Sequence, residues 1–155
     1  MTKQEELQRL FHRYQQEHGG VPETPYRVVE WALAQGLLEA PKLDPKAVLA
    51  DDLARALREE YATDESGRRY RRNHAVRVTR NSVQFALWAE MENAPREHMQ
   101  KAFQQRRQQI VGDCFQLKQD VDVYNNKHRE MKQIPLVLDF TDDVAELEAA
   151  DEDAA

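Results

Sequence analysis

One cysteine, Cys114, is all that the 155 residues contain, so no disulfide can form within the chain, and a reducing compartment suits it. No apolar run approaches the roughly 18 residues that a membrane-spanning helix needs, and the opening MTKQEELQRLF is too polar for a secretory signal. The expectation is a cytoplasmic protein with no membrane partner. Glycine is scarce, five in all, and its only adjacent pair, Gly19 and Gly20, ends a helical pattern and cradles no phosphate; GxSxG and dinucleotide-binding patterns are missing as well. His12, His18, His74, His98 and His128 fall in separate segments, none with a second histidine or cysteine at metal-ligand spacing. No metal, no cofactor and no catalytic residues are therefore expected. An enzyme whose site leaves no motif is the remaining alternative.

Acidic residues are missing where arginine is densest. Residues 68–82, RRYRRNHAVRVTRNS, hold six arginines and no acid in a chain of formal net charge -6. The overall charge misleads until it is divided. From Asp139 onward there are eight acids and no base, which leaves 22 bases against 20 acids over residues 1–138. The body is weakly cationic and the tail anionic.

The hydrophobic fraction of 41% permits a real core. Leu7, Leu10, Phe11 and Tyr14 share one helical face, so residues 3–18 read as a helix that stops at Gly19 and Gly20. A second helix is predicted over residues 26–36, with Val28, Val29, Ala32 and Leu33 on one face and Gly36 as its cap. Asp44 and Pro45 start a third, down which Leu49, Leu53, Leu57 and Tyr61 run at spacings of four. From His74 the period changes to two: Val76 and Val78, then Val83, Phe85 and Leu87, with residues 79–82 as turn material, read as a β-hairpin. Residues 82–91 also allow a helix, since Val83, Leu87 and Met91 keep helical spacing.

Pro95 opens a long helix over residues 95–130. Phe103, Ile110, Leu117 and Tyr124 stand seven apart, with Cys114 and Val121 between them and Arg107 and His128 in the remaining seam positions. Val111 and Phe115 widen this stripe, which suits a second copy of the chain or the chain's own body. Cys114 on such a stripe reads as a small buried hydrophobe. Residues 134–140, IPLVLDF, are a short strand candidate, and Pro135 assigns it to an edge. Thr141 can cap a short helix holding Val144 and Leu147, and residues 151–155 read as disordered.

Three helices followed by a hairpin is the order of a winged-helix domain, which the chain resembles in pattern over about its first 90 residues. The fold class expected is mainly α with a small β-hairpin: a winged-helix-like body over residues 1–92, a long helix for packing or self-association over 93–132, and a short strand with an acidic, partly disordered tail over 133–155. The resemblance implies that the third helix enters a major groove while the hairpin touches backbone or minor groove.

Arginine suits that task because its planar fork donates to phosphate oxygens in two directions and stays charged. The expected nucleic-acid contacts are Arg68, Arg69, Tyr70, Arg71, Arg72, Asn73, His74, Arg77, Arg80 and Asn81, with duplex DNA as the partner and a homodimer formed through the long helix. The competing reading of the same run is a solvated loop, its arginines paired with Glu59, Glu60, Asp64 and Glu65. A protein adaptor docking an acidic partner is the alternative function, favoured by the third helix, which mixes Asp51, Asp52, Glu59 and Glu60 with Lys46, Arg55 and Arg58.

Overall fold

Polar caps set the first helices in the computed structural model of the protein, which describes residues 1–154. Helix α1, Lys3–Glu17, begins with a reciprocal box: Thr2 Oγ1 accepts from the Glu5 N–H at 3.2 Å while the Glu5 carboxylate accepts from the Thr2 N–H at 2.8 Å. It ends where Gly19 and Gly20 take positive φ. Helix α2, Pro25–Ala34, carries proline in its first turn and is capped by the Thr24 hydroxyl. Tyr14, Val28 and Ala32 are buried where the two helices meet, and the Trp31 ring stands edge-on to Tyr14 at 5.3 Å.

The chain divides into two compact units, Met1–Ala50 and the residues from Asp51 onward. Helix α3, Pro45–Glu59, spans the division and has no buried residue. Asp44 Oδ1 accepts from the Lys46 N–H at 3.1 Å at its start. The predicted apolar face extends to Tyr61, but the helix stops two residues earlier because Tyr61 pairs with Arg71 in a sheet that the sequence reading does not include. Strands β1, Tyr61–Thr63, and β2, Arg69–Arg71, are antiparallel. Asp64 builds the loop between them, its Oδ1 accepting from the N–H groups of Ser66 at 3.0 Å and Arg68 at 2.8 Å.

Strands β3, Asn73–Arg80, and β4, Val83–Glu90, form the expected hairpin, and the helical alternative for residues 82–91 is excluded. Asn81 and Ser82 both take positive φ, 51° and 65°, the two-residue turn that matches strand twist. The backbone of Arg72 joins the two sheets: its N–H donates to Glu60 O at 3.1 Å and its carbonyl accepts from the Met91 N–H at 2.9 Å. Long helix α4, Arg96–Lys127, then crosses β3. Ala102 is fully buried there, Val76 and His74 nearly so, and His98 Nε2 lies 2.9 Å from His74 O.

Beyond α4 two expectations need correction. Residues 134–140 form no strand among the described residues. The backbone of Ile134 is held by a side chain, Asn125 donating to Ile134 O and accepting from the Ile134 N–H, both at 2.9 Å; Pro135 has no N–H to pair, and Phe140 O accepts from the Val144 N–H at 2.9 Å at the start of the next helix. The tail is helix α5, Thr141–Ala154, so Asp151, Glu152 and Asp153 are helical and not disordered. Asp139 starts it, accepting from the Thr141 N–H at 3.1 Å and hydroxyl at 2.7 Å, and these bonds hold the Asp139 carboxyl below the usual range. Ala155 lies outside the described residues. No described helix is long and apolar enough to cross a membrane.

Candidate functional site

The pleat of the β3–β4 hairpin sorts its side chains onto two faces. Asn73, Ala75 and Arg77 of β3 share one face with Ala86 and Trp88 of β4, while Val76, Val78, Arg80, Phe85 and Leu87 belong to the other. The first face forms a wall of a cavity of about 140 Å³. Arg58 from α3, Arg71 from β2, Arg77 from β3 and Arg106 from α4 all line it, together with Gln105 and Gln109. Four elements thus bring four arginines to the lining of one cavity.

Among the described residues none of these four arginines forms an ion pair. Like charges around one cavity raise each other's energy, and an anion that enters offsets all of them. Trp88 forms part of the wall, with the Arg58 guanidinium 5.6 Å from its ring centroid. The backbone of Arg77 is held from α4: Gln105 Oε1 accepts from its N–H at 2.8 Å and Gln105 Nε2 donates to its carbonyl at 3.0 Å. Gln105 thereby stands in for a neighbouring strand on the open edge of β3. The His74 imidazole lies below its usual pKa, first because of burial and then because of the charges of Arg106 and Arg71.

The arginine run is not gathered into one patch. Arg71 and Arg77 reach the cavity. Arg68 is paired with Asp64 at 2.7 Å, and Arg72 lies between Glu60 at 3.8 Å and Glu90 at 3.7 Å. The Arg69 guanidinium sits 4.0 Å from the centroid of the Tyr61 ring. Tyr70 donates its hydroxyl to Glu92 at 2.7 Å, and that bond raises its pKa. Asn73 and His74, expected as neutral donors to a ligand, are instead buried and committed inside the unit: Asn73 donates to Leu57 O at 3.2 Å and Glu60 at 2.9 Å, and His74 Nε2 is 2.8 Å from Arg71 O. Arg80 and Asn81 stand at the hairpin tip, beside the apolar face with Val83 and Phe85.

Arg58 and Arg106 complete the cavity without belonging to the run. Their signal in the sequence is the absence of an opposite charge at one-turn spacing, where Lys101 has Glu97 and Lys118 has Asp122. On α4, Phe103, Ile110, Leu117 and Tyr124 are exposed, Cys114 and Val121 partly covered. Phe103 meets the His74 ring edge-on at 5.5 Å, and Val121 lines a groove with Ile134, Pro135 and Leu138. The chain matches no family model, no curated protein and no solved structure among those compared.

Proposed function

We propose that the protein binds nucleic acid, with duplex DNA as the leading form, through the arginine-lined face of its second unit and without catalysing a reaction on it. The observation that carries this reading is the convergence of Arg58, Arg71, Arg77 and Arg106 on one cavity, with no carboxylate paired to any of them among the described residues. A guanidinium without an acid neighbour keeps its full donor set for phosphate oxygens, whereas Arg68 and Arg72 are already matched. A winged-helix reading, in which β3–β4 is the wing, rests on three helices that precede a hairpin, with the β1–β2 sheet between them. The binding reading does not depend on it, since its cations come from α3, β2, β3 and α4 alike.

Its test is binding of labelled duplex to the full chain across a salt series. Affinity should fall steeply with salt, by a slope of about 0.9 per phosphate engaged. A chain that binds neither duplex nor single strand at low salt is not a nucleic-acid binder. The adaptor reading, in which the same arginines meet an acidic protein surface, would then replace it.

A further inference from the structure

Every formally charged side chain lining the cavity is an arginine. Both Asn73 donor contacts are made inside the unit, Gln105 is held by both backbone groups of Arg77, and His74 faces Arg71 O. The four arginines remain, which only donate, beside the Gln109 amide and the Asn73 carbonyl oxygen, which are neutral. A base edge sets donors beside acceptors and needs both in return. A wall of donors fits oxygen acceptors, and the charge makes them anionic.

Size and charge then separate the possible oxyanions. A cavity of about 140 Å³ is well below the roughly 300–1,000 Å³ of sites that enclose a whole small molecule, so it is sized to seat one phosphoryl group with the rest of the ligand outside. A phosphodiester within a strand has one charge and two free oxygens. A phosphate monoester has three oxygens and a charge of about -1.5 to -2 at neutral pH, which is better matched to forks arriving from four elements. The charges of Arg71 and Arg106 also act on His74 in the wall, so the positive potential extends through the cavity lining.

We propose that this cavity is a receptor for a phosphate monoester, presented as the terminal phosphate of a nucleic-acid strand. The source rests on the nucleic-acid reading above; the phosphate chemistry rests on the cavity alone. The same duplex is prepared with phosphorylated and with hydroxyl ends, and each is bound to the full wild-type chain and to Arg106→Gln, with anisotropy as the readout and circular dichroism to verify folding. Phosphorylated ends should bind about tenfold more tightly to the wild type, and Arg106→Gln should erase that preference while hydroxyl-ended duplex still binds. Equal affinity for the two ends, with Arg106→Gln weakening both alike, means that the cavity grips an internal phosphodiester; the terminal-phosphate proposal is then wrong and the nucleic-acid reading stands. If no duplex binds, inorganic phosphate titrated by calorimetry decides. Binding that Arg106→Gln abolishes keeps the phosphate receptor with a free source, and no binding refutes both.

Discussion

Gln105 and Arg77 are joined through two hydrogen bonds, the side-chain amide of one closing both backbone groups of the other. They tie α4 to the edge of β3 at the residue whose guanidinium lines the cavity. Gln105→Ala leaves the Arg77 N–H and carbonyl to water and should cost about 1–2 kcal/mol, at roughly 1 kcal/mol per net bond. Gln105→Glu keeps the acceptor, loses the donor and should fall between. Urea denaturation measures both. A wild-type midpoint for Gln105→Ala would mean that the clasp contributes nothing.

Adjacent arginines should behave differently. Arg71→Ala removes an unpaired cation from the cavity and should lower duplex affinity and reduce the salt slope by about one contact. Arg72→Ala removes a charge already held by Glu60 and Glu90 and should change binding little. Titrations of the two variants at matched salt compare them directly; the reverse order would place the binding surface elsewhere.

Stability should fall on acidification through His74. Its folded-state pKa lies below the ordinary imidazole value of 6.5, so the unfolded chain takes up its proton first as the pH drops. The contribution is complete above the unfolded pKa and is lost progressively below about pH 6.5. His74→Gln should flatten this part of the curve. Denaturation midpoints for the two proteins at neutral and mildly acidic pH give the difference, and parallel curves would show that His74 is not responsible.

The α4 stripe leaves Ile110 and Phe115 more than half exposed, with heptad spacing maintained from Phe103 to Tyr124. A second copy of the chain is the expected cover. Wild-type mass across a dilution series should rise with concentration. A strict monomer at high concentration would remove the homodimer.

Helix α5 ends with Asp151 and Glu152 lining the same concavity as Ser66, Gly67 and Arg68. The one cation lining that concavity is Arg68, already held by Asp64, so these acids would act on the cavity arginines through longer-range charge. Truncation after Phe140 should therefore raise affinity for random duplex at low salt, with the gain shrinking as salt screens both contacts. Unchanged low-salt affinity would show that the tail leaves the arginines alone.

Local physics made much of this fold legible in the sequence. Asp44 and Pro45 at the start of α3 and the glycines after α1 and α2 each act within a few residues of themselves, so those boundaries follow from them, whereas the sequence reading does not include the Thr2 and Glu5 box or Pro25 in the first turn of α2. The hairpin was readable from alternation of apolar residues, with Asn81 and Ser82 able to adopt the turn. Residues 134–140 differ from the expected strand because an extended apolar run looks alike in sequence whether a strand pairs with it or, as at Ile134, the amide of Asn125 does. The cavity depended on tertiary structure altogether. Asp64 and Glu60 are at hand as partners in the sequence, but along the chain Arg71, Arg72 and Arg77 look equivalent; only the fold brings Glu90 to Arg72, and Arg58 and Arg106 to the other two. Free cations are distinguished from paired ones by distances across elements, and those are set where α4 docks on β3, a contact that no local rule encodes.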